Sequence, residues 1–258
     1  GITNLTATGV GSFGSLDISG DIDVDGTTNL DVVDIDGAVD MASTLNVGGT
    51  IQVGVDGTTA GLIRFMDSGS VTEEATISSD ANGGLIFGGN SGAGELIFKT
   101  NSGTEHMRIN ATGAITMPLQ PAFLVTKTSN RDNLPIGADE LVAFDTEVFD
   151  QNADFASNTF TAPVTGKYFL SSTIRFDTFD TAADYYILKI ETSNRVYIKI
   201  TNPKFPADGN FLHPTATVLA DMDAGDTATI QVNQSGGTAQ TDVIGNAQYT
   251  NFSGYLVA

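Results

Sequence analysis

Apolar residues in the first 57 positions occur in pairs spaced two apart. The pairs are Leu16/Ile18, Ile22/Val24, Leu30/Val32, Val39/Met41, Leu45/Val47 and Ile51/Val53, with Gly, Asp, Asn or Thr between them. Each pair predicts one very short strand and a turn, which together are too small to bury their own apolar face. Such units become stable only by stacking on neighbouring units or on other chains. Residues 1–57 are therefore predicted to form a repetitive short-strand β stalk, either an elongated β-helical solenoid or an intertwined multi-chain rod.

The charge of the chain restricts its partners. Residues 1–57 contain nine acidic residues and no basic one, and the whole chain has a formal net charge of −20. Nucleic acid and anionic membranes require clustered Lys and Arg, so neither is an expected partner. No apolar run approaches the roughly 20 residues of a membrane span, so membrane insertion is not expected. The chain starts at Gly1 without a leader, as expected of a fragment or a processed product.

One acidic motif in this region resembles half of a calcium-binding loop. The segment Asp21–Gly26 has Asp at every other position and ends in Gly, like the first half of an EF-hand loop. The twelfth position, which should be a bidentate Glu, is Val32, and no helical pattern flanks the motif. Because apolar residues separate the aspartates, the carboxylates are predicted to share a solvated strand face.

In residues 58–118 the apolar pairs lengthen into strand-like pieces separated by Gly-rich turns. The predicted strands are Leu62–Met66, Ala75–Ile77, Leu85–Phe87, Glu95–Phe98, Met107–Ile109 and Ala114–Met117. Residues 58–118 are therefore predicted to be a second fibrous β segment. Its run Gly103–Gly113 contains Thr-Glu-His-Met-Arg-Ile and resembles a line that recurs in bacteriophage tail-fibre proteins, with His106 in place of the usual Arg.

The composition changes at Met117–Pro121, where two prolines stiffen the start of the next segment. Eight of the eleven basic residues follow this point, and aromatic residues become frequent. The predicted strands are Ala122–Lys127, Glu140–Phe144, Thr159–Val164, Lys167–Phe176, Tyr185–Glu191, Arg195–Thr201, Phe211–Leu219, Ala228–Gln234 and Phe252–Val257. Many short strands at this spacing are typical of a β-sandwich or jelly roll. Residues 119–258 are therefore predicted to be a compact all-β domain.

One hairpin organises this domain. Phe160, Ala162 and Val164 alternate with polar residues, which predicts a strand with one buried face. Pro163 cannot donate a ladder hydrogen bond and is expected near the end of that strand. Gly166 can take the positive φ angle of a tight connection. A second strand, opened by an aromatic pair, follows the turn.

Three motifs, in order along the domain, resemble the C1q/tumour-necrosis-factor superfamily. They are Phe-Thr-Ala-Pro-Val at Phe160–Val164 with Gly166-x-Tyr168-Phe169, the Asp223–Asp226 turn before the strand Ile230–Val232, and the ending Phe-Ser-Gly-Tyr-Leu-Val at Phe252–Val257. Together they span nearly all of residues 121–258. The chain departs from the family pattern at Leu170, where an aromatic residue is usual, and in a short segment between Phe155 and Phe160.

This resemblance implies that residues 119–258 form a C1q-like jelly-roll head that assembles as a tight homotrimer. A trimeric head would set three stalk strands in register, so both halves of the chain indicate the same oligomeric state. Family members often bind calcium near the trimer apex. The acidic cluster Asp221, Asp223 and Asp226 is the candidate metal site here, although Gly225-Asp226 also fits an ordinary turn. No cofactor is required by this interpretation.

Candidate receptor-binding residues follow from side-chain chemistry, because aromatic faces and Arg forks dominate recognition surfaces. The candidates are Tyr185, Tyr186, Arg195 and Tyr197. The alternative is that aromatics in alternating strands pack in the core or at the trimer interface. Receptor contacts more often lie on loops. The candidate loops are Thr178–Asp184, Asn202–Asn210 and Ser235–Asn246.

The sequence offers no catalytic residues. The only histidines are His106 and His213, and no nucleophile motif surrounds any Ser. His213 precedes Pro214 at a predicted loop-to-strand boundary and is interpreted as structural. The carboxylate pair of a glycosidase cannot be distinguished from solvated aspartates among 31 acidic residues. We therefore predict a protein that is not an enzyme.

These observations predict a structural and receptor-binding fibre protein. The leading hypothesis is a bacteriophage tail fibre, part of the virion, whose trimeric head attaches to a polysaccharide or protein receptor on a bacterial surface. The first alternative is an extracellular adhesin or spore-coat filament of a cell surface with the same head. The second is a polysaccharide depolymerase.

Overall fold

The computed structural model describes residues 62–66, 73–79, 85–89, 95–100 and 102–258, all within the compact unit Val53–Ala258. Every helix or strand assigned among them is a β-strand, which confirms the all-β prediction for these residues. The predicted stalk of residues 1–57, with its acidic motif, lies outside the described residues. In the described part of the chain, no helix is long and apolar enough to cross a membrane.

Two three-stranded antiparallel sheets come before the head in the chain. The first contains β1 (Leu62–Met66), β2 (Glu73–Ser79) and β3 (Leu85–Gly89), and the second contains β4 (Leu96–Lys99), β5 (Glu105–Ile109) and β6 (Ile115–Thr116). Each is a meander in which successive strands pair. Gly103 and Gly113, with φ angles of 82° and 84°, lie in the turns of the second sheet. The strands predicted for residues 58–118 are confirmed, with boundaries that differ by a few residues.

Thirteen further strands form the head, residues 119–258. They are β7 (Ala122–Thr126), β8 (Glu140–Leu141), β9 (Thr146–Asp150), β10 (Phe155–Ala156), β11 (Thr159–Thr161), β12 (Gly166–Thr173), β13 (Phe176–Asp177), β14 (Ala183–Thr192), β15 (Val196–Thr201), β16 (Thr215–Met222), β17 (Thr227–Gly236), β18 (Asp242–Val243) and β19 (Asn251–Leu256). Their order in space differs from their order in the chain.

Two antiparallel sheets of the head enclose one core. The five-stranded sheet has the order β16-β12-β19-β7-β9. The six-stranded sheet has the order β10-β11-β17-β14-β15, and β8 also pairs with β17. Strands β13 and β18 form a separate pair. Because neighbouring strands are distant in the chain, this is the connectivity of a jelly-roll sandwich, and the predicted fold of the head is confirmed.

The core between the two sheets centres on aromatic rings. Phe123 of β7 stacks on Phe160 of β11 at a ring-centroid distance of 4.7 Å, and it meets Phe252 of β19 edge-on at 4.9 Å. Phe155 of β10 also stacks on Phe123, at 5.3 Å, and the ring of Tyr168 of β12 lies 5.4 Å from that of Phe160. Since these rings come from both sheets, their packing joins the two halves of the sandwich.

The predicted organising hairpin is confirmed in part. Phe160 and Ala162 are fully buried, but Val164 is 45% exposed. Strand β11 ends at Thr161, so the buried alternation does not extend past the proline. The carbonyl oxygen of Val164 instead accepts a hydrogen bond from the hydroxyl of Tyr168 at 2.7 Å. The prediction of a buried Val164 was therefore wrong.

Two glycines of the family motifs are required by close packing. Gly166 does not have the predicted positive φ angle. A Cβ there would lie 2.6 Å from Cδ1 of Leu256, so a side chain would collide with the C-terminal strand. A Cβ at Gly254 would lie 2.7 Å from Leu170 and 2.8 Å from Phe123. The Phe-Ser-Gly ending therefore leaves room for the core aromatics.

Two strand predictions in the head were wrong. The structure has only β8 in the predicted strand Glu140–Phe144, followed by the unpredicted β9. Strand β9 is an edge strand that exposes both Val148 (56%) and Phe149 (48%), so it lacks the alternation that identifies a strand. The strand predicted to start at Phe211 starts at Thr215, because Phe211 has a φ angle of 73°, which a strand does not allow.

Candidate functional site

The head has two ends, defined by the strands of the five-stranded sheet. At one end Ala122, where the chain enters the head, pairs with Tyr255. At the other end Thr126 pairs with Asn251. We call this other end the distal end. Three segments meet there and form the distal loop cluster: Thr178–Asp184, Asn202–Asn210 and Ser235–Asn246.

Hydrogen bonds join the first two loops of the distal loop cluster. The backbone N–H and the hydroxyl of Thr181 donate to Oδ1 of Asp208 at 2.7 and 2.6 Å. The N–H of Thr178 donates to Oδ1 of Asn210 at 3.1 Å. The sequence predicted these loops as separate recognition candidates, and the structure places them side by side.

Asp180 connects the first loop to the third with a buried carboxylate. This residue is 1% exposed. Its Oδ2 accepts the N–H groups of Ala239, at 2.8 Å, and of Thr238, while its Oδ1 accepts the N–H of Ala182 at 2.7 Å. These backbone donors, with Ala239 the strongest, hold the pKa of Asp180 below its ordinary value against the opposing effect of burial. The ionised carboxylate therefore stabilises the arrangement of the loops.

The variant Asp180→Asn should be less stable than the wild type at neutral pH by about 1.5–3 kcal/mol, the range for hydrogen bonds to charged groups. In the variant, the NH2 group of the asparagine amide would face backbone N–H groups, and two donors cannot form a hydrogen bond with each other. Because the folded pKa of Asp180 is lowered, its contribution is present above the unfolded pKa of about 3.9 and is lost as the pH falls below that value. Urea unfolding across a pH series should therefore show the difference narrowing in acid. A difference that is independent of pH would contradict this role.

A guanidinium lies between two aromatic rings at the distal end. Arg175 donates to both carboxylate oxygens of Asp177, at 2.8 and 2.7 Å. The guanidinium carbon of Arg175 lies 4.3 Å from the ring centroid of Phe211 and 5.0 Å from that of Tyr249. The hydrogen-bonded pair raises the pKa of Arg175 and lowers the pKa of Asp177. Both charges are compensated inside the head, so the group presented to solvent is the Phe211 ring, which is 69% exposed.

Two residues at the distal end have strained backbones. Thr178 has a φ angle of 52° and Phe211 one of 73°. For β-branched or bulky residues such angles cost on the order of 1–3 kcal/mol and persist only where the surroundings impose them. Here Oδ1 of Asp177 accepts the N–H of Phe211 at 3.1 Å. This hydrogen bond stabilises the strained backbone conformation of Phe211, which places its large apolar ring at the surface.

Sequence reasoning did not identify Arg175, Phe211 or Tyr249 as a group. Each is an ordinary residue in its local context, and the three come together only because the ends of β12, β16 and β19 meet. The available signal was an aromatic residue directly after a polar loop, at Phe211. The same signal predicts the start of a strand, which the structure instead begins at Thr215.

The four predicted receptor-binding residues do not form one surface. Tyr186 is 1% exposed and belongs to the core, so its prediction as a receptor contact was wrong. Tyr185 is 37% exposed near the distal end. Arg195 lies at the opposite end of the β14–β15 hairpin and pairs with Asp221 at 2.5 Å. Tyr197 packs partly against the core. Receptor contacts of Tyr185, Arg195 and Tyr197 stay predictions.

The three acidic metal candidates lie near the end where the chain enters the head. The carboxylate of Asp226 accepts the N–H of Asp223 and the hydroxyl of Ser193, both at 2.7 Å. These donors, Ser193 first, lower the pKa of Asp226. Asp221 is paired with Arg195. Within the described ranges, no group of three His, Cys, Asp or Glu side chains is placed to hold a metal ion. Calcium binding here stays a prediction.

The two histidines lie in different parts of the structure. Nε2 of His213 is 2.7 Å from the carbonyl oxygen of Tyr249, and the two rings meet edge-on at 5.6 Å. These contacts agree with a structural role for His213. His106 lies on β5 of the second small sheet and is exposed. Among the described residues, neither histidine ring is hydrogen-bonded to a Ser or Thr hydroxyl.

The outward face of the five-stranded sheet carries one apolar patch among polar residues such as Ser171, Thr217 and Ser253. Phe169 lies opposite Leu219 on one side and Tyr255 on the other, and Leu124 lies opposite Phe149. Leu219, Tyr255 and Phe149 are 58%, 49% and 48% exposed. We call these five apolar residues the assembly face. An exposed apolar surface of this kind on a folded domain marks a protein–protein contact.

Comparison with known proteins gives a match for the head. The family model described as "C1q domain" matches residues 122–257, which is more than half of the chain and runs from the first residue of β7 to just past β19. No curated protein matches the chain.

Two solved structures are similar to about half of this chain. The globular domain of zebrafish complement 1qA protein is 18% identical, with a TM-score of 0.39, and the match covers 54% of this chain and 98% of that chain. Murine APRIL, crystallised at pH 8.0, is 11% identical, with a TM-score of 0.40 and coverage of 54% and 99%.

Proposed function

Because this chain belongs to the C1q domain family, whose domains form trimers and often serve in binding or recognition, we propose that it is the receptor-binding part of a trimeric fibre. The fibre is a bacteriophage tail fibre, and the head attaches the virion to a polysaccharide or protein on a bacterial surface. C1q-like domains are non-enzymatic binding domains that are typically extracellular or secreted. The head therefore acts by binding and not by chemistry.

The residues outside the head support a fibre. The first 57 residues are repetitive and acidic, and they need partner chains to bury their apolar pairs. The run Gly103–Gly113 resembles lines of phage tail-fibre proteins, and it lies in the second small sheet across β5 and the turn that follows. A trimeric head is the element that sets three such chains in register.

The single observation that carries the binding role is the position of Phe211. Its ring is 69% exposed although it sits on Arg175, and its backbone is held at a φ angle of 73°. Strained residues that the surroundings enforce occur mostly at functional sites. An exposed aromatic face next to three polar loops fits a sugar ring or an aromatic side chain of a receptor.

The trimer places three copies of this surface on one particle. The assembly face lies on the five-stranded sheet, whereas the distal loop cluster lies beyond the ends of the strands. Packing through the assembly face therefore leaves the loops free. Three linked sites bind a cell surface with an avidity that exceeds the affinity of each site by orders of magnitude.

The test is binding of fluorescent protein to host cells and to their purified surface polysaccharide. Phe211→Ala should weaken binding by about tenfold or more at each site, as expected for removal of an exposed aromatic anchor. Val196→Ala is the matched control, since Val196 is 49% exposed on the other sheet, away from the distal end. Tyr185→Ala in parallel tests the predicted contact of that residue.

Two results would overturn the proposal. Unchanged binding by Phe211→Ala, with the wild type bound tightly, would remove the distal end as the receptor site. Release of sugars from the polysaccharide by the purified wild type would show that the protein is a depolymerase.

A further inference from the structure

One face of the second small sheet carries a cluster of five apolar residues. Opposite residues in an antiparallel ladder point to the same side. The register pairs Leu96 with Ile109, Phe98 with Met107, and Ile109 with Ile115, so these five side chains share one face. Phe98 is 46% exposed and Ile115 is 60% exposed. Because burial of apolar surface is favourable, such an open apolar face is a surface for contact with another apolar face.

The other face of this sheet is mainly polar. The register places Arg108 between Ile97 and Thr116. Side chains alternate along β5, so exposed His106 is assigned to the side of Arg108. The guanidinium of Arg108 pairs with Glu95, and with Glu105 at 2.5 Å. This face suits contact with water, so only the opposite face needs a partner.

The apolar face continues into the assembly face of the head. An open groove of about 360 Å³ is lined by Ile115 and Met117 on one side and by Ala122 and Tyr255 on the other. Ile115 belongs to the apolar face of the small sheet, and Tyr255 belongs to the assembly face. Whatever covers one surface is therefore placed to cover the other.

We propose that the apolar face of the second small sheet packs against the same face of two further copies of the chain. The three sheets then form the sides of a prism around the threefold axis. The inference rests on the proposed trimer and extends its interface beyond the head. Strands lie about 4.8 Å apart, so three of them make a side about 14 Å wide, whose centre is about 4 Å from the axis of a closed triangle. Packed sheets lie about 10 Å apart, so each contributes about 5 Å of side chain. This side-chain depth of about 5 Å is close to the distance of about 4 Å from each sheet to the axis, so the side chains of three such faces fill the interior of the prism.

Central strand β5 lies nearest the axis in this arrangement. By symmetry, the three copies of Met107 lie at the same height and point towards one another, whereas the neighbouring His106 points outward. Cysteines form a disulfide when their Cβ atoms lie about 3.5–4.5 Å apart. The chain has no cysteine, so one introduced thiol per chain reports on this position alone.

The full-length variants Met107→Cys and His106→Cys are oxidised, with His106→Cys as the matched control. Denaturing gels then measure the fraction of disulfide-linked dimer. Light scattering measures the mass of the same samples. We expect both variants to be trimers and only Met107→Cys to form disulfide-linked dimers. If Met107→Cys does not assemble, Ile109→Cys on the same strand replaces it.

The outcomes separate this inference from the proposed function. The prism is overturned if trimeric Met107→Cys and Ile109→Cys form no disulfide-linked dimer, or if His106→Cys forms as much of it. Either result leaves the head trimer intact. A monomeric wild type overturns both.

Discussion

Replacing Phe160 with Ala should lower the free energy of unfolding of the head by about 3–5 kcal/mol, the range for loss of a buried aromatic ring. Phe160 is fully buried and lies 4.7 Å from Phe123 and 5.4 Å from Tyr168. The cavity would open between the two sheets, where these rings join them. Urea unfolding followed by circular dichroism measures the loss, at one fixed protein concentration because subunit association adds to stability.

Phe205→Ala is the control for this prediction. Its ring lies 5.4 Å from the ring of Phe179, tilted by 59°, but Phe205 is 51% exposed, so truncation leaves no enclosed cavity. Its loss of stability should stay below about 1.5 kcal/mol, because little area leaves the protein interior. Equal losses for both variants would show that Phe160 does not hold the sheets together.

Replacing Leu219 with Glu should dissociate the trimer into folded monomers. Leu219 belongs to the assembly face, where it lies on edge strand β16 opposite Phe169, and it is 58% exposed in the single chain. The change therefore leaves the core of the monomer intact. In the assembly it buries an unpaired carboxylate at every subunit contact, which costs several kcal/mol each time. Light scattering should show a mass about one third of the wild-type value, with unchanged strand content by circular dichroism.

Ile198→Glu makes the same change on the other sheet. Ile198 is 54% exposed on β15, so it matches Leu219 in exposure and in chemistry. This variant should remain trimeric. A Leu219→Glu variant that stays trimeric would contradict the assembly face as the subunit contact. Dissociation by Ile198→Glu would place the contact on the six-stranded sheet instead.

Much of the fold was predictable because strand periodicity is local. In β12, β14 and β17 buried residues alternate with half-buried ones along most of each strand, and the alternation of Phe160 and Ala162 marks the same buried layer. The sequence also shows the glycines of the family motifs, but it does not show why these positions require glycine. Gly166 and Gly254 are needed because Leu256, Leu170 and Phe123 approach their backbones, and those contacts join distant strands.

The candidate site was less predictable because it depends on register and on strand ends. Tyr185 and Tyr186 are neighbours in one strand, and a slip of one residue would exchange the buried ring for the exposed one. The pairing of β14 with β17 sets that choice. The residues around Arg175 come from the ends of strands that are adjacent only in the folded sheet.

The sequence by itself determined the all-β class of the described residues and the order of the head motifs, since both follow from local alternation and composition. It also predicts that the apolar pairs of residues 1–57 need partner chains. The tertiary structure decided which face of each strand is buried, which loops meet at the distal end, and that Phe211 stays at the surface on Arg175. It also decided that the apolar face of β4–β6 continues into the assembly face. The physical reason is that burial and proximity are properties of strand pairing between distant segments, and no local pattern encodes that pairing.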